Sequence, residues 1–180
     1  MRAAPNASYT KLAKAMHWSV AIFICINFPI GLYMNTFPHN SRSFDDVLFY
    51  HASIGSLIFM LAMPRLMWRM MHTPPALPSS VPRWQVMASH GLHWTLYVLM
   101  LAVPLTGYVH RLAGGHPVNF FGLGELPVFV SKDEPLRLLT DTLHKTLVFV
   151  LATLVVGHIA AALKHRFVDR DGVAERMWVS

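Results

Sequence analysis

HKTLVFVLATLVVGHIAAALKH, residues 144–165, decides how the rest of the chain is read. The run is apolar almost throughout, yet it begins on His144, carries His158 well inside, and closes on Lys164 and His165. It is long enough to cross a bilayer as a helix, since about 30 Å of hydrocarbon takes roughly 20 residues. Residues 17–34, 49–71 and 89–109 are of the same kind and, with 143–164, make four expected spans. Composition agrees. Of 180 residues, 54% are hydrophobic and only 13% charged, where a soluble domain carries about 25% charged residues. The stretches between the windows are too short for a second domain. The expected fold is therefore all-α, one integral membrane four-helix bundle over residues 1–180.

Pro29, Pro64 and Pro104 fall inside spans. Membrane bundles accept such prolines as kinks, because neighbouring groups re-satisfy the freed carbonyls. Arg2, Lys11 and Lys14 precede the first span, which raises the reading of a cleaved leader. No small-x-small cleavage site follows GLYMNTFPHN, so the span is expected to stay. Cys25 is the single cysteine; there is no disulfide framework and no Cys-x-x-Cys-His haem attachment, and a small core residue is expected there.

Basic residues set the orientation. With the termini and second connection on one side, that side holds Arg2, Lys11, Lys14, Arg65, Arg69, Arg83, Lys164, Arg166, Arg170 and Arg176. The other side holds only Arg42, Arg111, Lys132, Arg137 and Lys145. The positive-inside rule then places both termini in the cytoplasm. The net charge of +6 follows from topology and contact with anionic membrane lipids. Nucleic acid is excluded as a partner, because the basic residues flank spans and form no separate basic, aromatic-interleaved surface.

Histidine carries the chemistry. Of eleven, His39, His72, His116 and His165 fall in connections or at interfaces, and His110 ends a span; solvated imidazoles are expected there. His17, His51, His90, His93, His144 and His158 lie in or at the edges of spans, where ionisable groups are costly and mark function. Depth sorts them: His51 and His144 fall toward the outer side, His17 and His158 toward the inner. His144 and His158 are fourteen residues apart, which returns them to within about 40° of one helix face and separates them by about 21 Å.

Donors that come in twos, without mid-span carboxylates, suit haem iron better than zinc or copper, which recruit three or four with Cys or carboxylate common among them. A porphyrin supplies four nitrogens and needs two axial imidazoles. A flat macrocycle also needs small residues beside it; Gly55, Gly157 and Ala161 meet that need, with close helix packing as their alternative. The inner level has competitors. SHGLHW, residues 89–94, brings His90 and His93 to the same depth, so four histidines contend for two iron bonds. Propionate or quinone hydrogen bonding, or a bond to a backbone carbonyl, would occupy the spare two. Arg69 reads as an anchor in the inner leaflet, and Arg65, one turn deeper, as a partner for inner-haem propionates.

The chain resembles the bacterial cytochrome b561 family along nearly its whole length. The motifs are KAMHW at 14–18, YHASIGSLIFMLAMPRLMWR at 50–69, TPPALP at 73–78, HGLHWTLYVLMLAVPLTGY at 90–108, VNFFGLGELP at 118–127, LHKTL at 143–147 and GHIAAALKHRF at 157–167. The resemblance implies a four-helix inner-membrane cytochrome with two non-covalent b haems, ligated at the positions of His17, His51, His144 and His158. It also implies transmembrane electron transfer with ubiquinone as one redox partner. Some family members resemble superoxide oxidases, with superoxide oxidised at the periplasmic side and quinone reduced near the cytoplasmic side. Lys132, Arg137 and Lys145 on the outer side are candidates for steering superoxide, although Asp133, Glu134 and Asp141 are interleaved with them. The alternative is a cytochrome relay subunit passing electrons between quinone and a partner dehydrogenase or hydrogenase. A His-lined metal transporter is disfavoured by the lack of acidic or thiol ligands along a path.

Overall fold

The computed structural model describes residues 8–39 and 41–178. Four long helices, α1 (Lys11–Met34), α2 (Arg42–Met71), α3 (Arg83–Ala113) and α4 (Glu134–Lys164), dominate it. All four are long and apolar enough to cross a membrane. Among the described residues there is no strand beyond one isolated bridge, Asn119 to Glu125. Hydroxyl and carboxylate caps set three of the starts. Thr10 accepts from the Ala13 N–H, Ser41 from Phe44 and Asp133 from Leu136, each satisfying one otherwise unpaired donor of a first turn. Pro29, Pro64 and Pro104 all sit inside continuous helices.

Each helix packs on its chain neighbour, α1 on α2, α2 on α3 and α3 on α4, whereas α1 and α4 make little direct contact. The tightest core joins the first three helices: Val20, Ile58, Ala62 and Met100, with Phe23, Ile54 and Tyr97 around them. Across the seam between α1 and α4 stand Phe28 against Phe149 and His17 against His158. Outward faces are apolar, as lipid contact requires. Cys25 is exposed, together with Ile22 and Ile26, and is not the core residue its apolar setting suggested: in a membrane helix hydropathy does not separate the packed face from the lipid face.

One end of the bundle carries both the described residues that lead into α1 and those that follow α4. Past α4 a π-helical turn, His165–Asp169, leads into a strap that folds under the first helix. The Tyr9 N–H donates to the Arg176 carbonyl, Trp18 Nε1–H to the Met177 carbonyl at 2.9 Å, and the Arg176 guanidinium to the Ala76 carbonyl. These segments and the α2–α3 connection thus share this terminal face. The opposite, loop face is covered by residues 114–133. Ser53, fully buried, donates to the Asn119 carbonyl and accepts from the Phe121 N–H, both at 3.1 Å. That clasp ties the loop to α2 two residues beyond His51.

Candidate functional site

Two clusters of imidazoles stand inside the bundle, one toward each face. Near the loop face, His51 on α2 and His144 on α4 lie with ring centroids 6.1 Å apart and planes at 85°. The His144 Nδ1–H donates to the Val103 carbonyl at 2.9 Å, which fixes the tautomer and leaves Nε2 as the free donor atom. His51 has no such bond: its Nδ1 is buried without a hydrogen-bond partner. Glycines make room for both rings. A Cβ on Gly31 of α1 would fall 2.8 Å from His51 Cε1, and one on Gly107 of α3 would fall 2.9 Å from His144 Cε1. A side chain at either position would force the imidazole ring to shift from its seat.

Near the terminal face, His17 on α1 and His158 on α4 lie 6.3 Å apart at 70°. His93 on α3 approaches His158 to 5.4 Å, and its Nδ1 shares a 3.3 Å hydrogen bond with Ser89. His90 is exposed. Of the four contenders at this level, the fold therefore gathers three. Arg65 on α2 lies beside them, its guanidinium carbon 5.4 Å over the Tyr97 ring.

These spacings can be tested against a metal. A metal–imidazole bond of about 2.0–2.1 Å on each side of one iron, plus about 1.1 Å from nitrogen to ring centre, sets opposed centroids about 6.2–6.4 Å apart. The pairs at 6.1 and 6.3 Å fit, while the 5.4 Å of His93 and His158 is short of it. Donor chemistry, spacing and a seam with little helix–helix contact all suit haem. The remaining expectations fare unevenly. A Cβ on Gly55 would meet the Asn27 side chain at an ordinary contact of 3.5 Å, and one on Gly157 would meet nothing within 4 Å; the glycines that border imidazole rings are Gly31 and Gly107, which spacing along one helix could not reveal. On the loop face Arg137 is bound to Glu134 and Lys145 to Asp141, whereas Lys132 packs its stem over Gly115. His110, expected to be solvated, instead donates from Nδ1 to the Arg137 carbonyl at 3.1 Å, tying α3 to α4.

Facing imidazoles between lipid-exposed helices define a class of protein, the membrane cytochromes of b type. The family described as prokaryotic cytochrome b561 matches residues 8–179, and the chain belongs to it. Haem b binding comes with that membership, as does a multi-pass place in a bacterial membrane. Cytochrome b561 homolog 2 of Escherichia coli K12 is 33% identical over 170 residues, 94% of this chain and 90% of that protein. Cytochrome b561 homolog 1 of the same organism is 26% identical over 169 residues, 94% and 96% of the two chains. A Yersinia pestis protein named probable superoxide oxidase CybB is 28% identical over 176 residues, 96% of each.

Proposed function

We propose that the chain carries electrons across the bacterial inner membrane through two b haems, one between His51 and His144 and one between His17 and His158. The observation that carries this reading is the pair of facing imidazoles at each end of one bundle, both reached from α4. Haem supplies one-electron exchange at iron. His51 with His144 and His17 with His158 would hold the two groups, and a donor set of two imidazoles for each would favour outer-sphere electron transfer over oxygen chemistry. The Val103 carbonyl keeps the His144 proton on Nδ1, so Nε2 is presented to the metal. Gly31 and Gly107 let both outer imidazoles lie against helix backbone.

The basic residues on the terminal face put that face in the cytoplasm. In the superoxide reading, two superoxide anions outside each lose one electron to become dioxygen, and one ubiquinone near the inner pair takes both electrons with two protons. Likeness to a protein named as a probable superoxide oxidase supports this donor. Stopped-flow mixing of the oxidised, haem-loaded protein with superoxide tests it. Haem reduction followed by reoxidation on adding ubiquinone is expected; no reduction by superoxide would move the reading to a relay between quinone and a partner dehydrogenase or hydrogenase.

A further inference from the structure

Beyond α4 the chain turns back on itself, and that turn gathers His165, Asp169 and Asp171 outside the bundle. His165 opens the π-helical turn and Asp169 closes it. Arg170, the next residue, takes the left-handed conformation at φ 50° and ψ 38°, which brings Asp171 back toward the helix end. The His165 Nδ1 lies 2.6 Å from Asp171 Oδ2 and 3.5 Å from Asp169 Oδ2. Among the described residues this is the one place where three donor atoms of His, Cys, Asp or Glu all lie within 4.8 Å of one another. From the sequence His165 reads as a solvated imidazole, yet its side chain is only 19% exposed and that of Asp171 only 12%. The group is a partly covered, mixed nitrogen and oxygen donor set, distinct from a patch of carboxylates in solvent.

Two donors bound to one ion at about 2.0–2.2 Å stand about 2.9–3.6 Å apart, between the octahedral and the tetrahedral angle. The separation of His165 from Asp169 falls in that range. His165 and Asp171 close further, to a hydrogen bond, and an ion there would take the place of the proton on Nδ1. The other oxygen of Asp171 accepts from the Val173 N–H at 3.1 Å, which orients the carboxylate as outer hydrogen bonds orient metal ligands. Asp169 already meets a cation, because Lys164 Nζ donates to the same Oδ2. That lysine side chain is 51% exposed, so the ammonium can leave at little cost. One imidazole with two carboxylates suits a divalent first-row transition ion better than Ca²⁺, which takes oxygen alone, or Cu(I), which takes sulfur. We propose that His165, Asp169 and Asp171 bind one divalent ion of the zinc class, apart from the haem sites, and that this ion fastens the strap to the end of α4.

Titration of the haem-loaded, full-length protein with Zn²⁺ against a fluorescent chelator tests this. The wild type should take up one Zn²⁺ per chain at this site, and an equal concentration of Ca²⁺ should not displace it. His165→Gln, Asp169→Asn and Asp171→Asn should each weaken binding by about tenfold or more, since even an outer partner of a ligand is worth about 10–100-fold. Lys164→Gln should instead tighten it about two- to fivefold, the effect of losing an exposed, competing cation. Zn²⁺ should also slow tryptic cleavage after Arg170 in the wild type and leave it unchanged in Asp169→Asn. Asp169 is the most exposed of the three ligands, its side chain at 27%, so its variant keeps the test sharp even where His165→Gln fails to fold. Wild-type affinity in Asp169→Asn and Asp171→Asn would overturn the proposal, as would displacement by Ca²⁺, and the group would then be an ion-paired helix end only. Equal or weaker binding in Lys164→Gln would contradict a shared place for ammonium and metal on Asp169.

Discussion

His144 is held by one carbonyl and one missing methyl group, and both can be altered singly. Gly107→Ala places a Cβ 2.9 Å from its Cε1, an overpacking that costs about 1–3 kcal/mol and shifts the ring from its seat. Low-spin haem should fall toward half of wild type in this variant, with the loss confined to the outer haem. Full retention would mean that His144 is not seated as a ligand. His158→Ala should likewise remove the inner haem; if both haems persist in low-spin form, His93 has taken the iron. The histidines were legible in the sequence because imidazoles in apolar spans are rare and costly. Gly31 and Gly107 were not. Their role depends on which helix lies across from them, and periodicity along one helix carries no such information. The exposed Cys25 was misread for a related reason, since lipid and core are equally apolar.

At the scale of elements, hydropathy marked where the chain meets hydrocarbon and caps marked where the helices begin. Expected spans 17–34, 49–71 and 143–164 end where α1, α2 and α4 end, but the helices start six to nine residues earlier. Those first turns are polar and lie outside the apolar windows. In the structure Thr10, Ser41 and Asp133 cap them, a polar signal that a hydropathy window does not register. The strap after α4 had no hydropathy signal, because it is fastened by hydrogen bonds between distant segments. Trp18→Phe removes the donor to Met177, worth about 0.5–1.5 kcal/mol. Trypsin should then cut after Arg170 faster than in wild type, with little change in cleavage elsewhere; an unchanged rate would show that the Tyr9 and Arg176 contacts hold the strap alone.

For the whole molecule, the asymmetry of basic residues between the two faces predicts an orientation in the membrane. A phosphatase reporter fused to the C-terminus should be inactive and a fluorescent one bright; the reverse would turn the bundle over. Under the superoxide reading, Lys132→Gln removes one positive charge from the loop face and Lys145→Gln does the same while leaving Asp141 unpaired, so each should slow haem reduction by superoxide. The effect should fade as salt rises, since exposed charges are screened beyond about 8 Å at physiological ionic strength. Wild-type rates in both variants would remove these lysines from the approach. The central claim is that one chain holds two irons between two histidine pairs, and counting haem per chain in the purified, haem-saturated protein tests it most directly. Two non-covalent b haems, both extracted by acidic acetone, is the expected result; saturation at one haem per chain would contradict it.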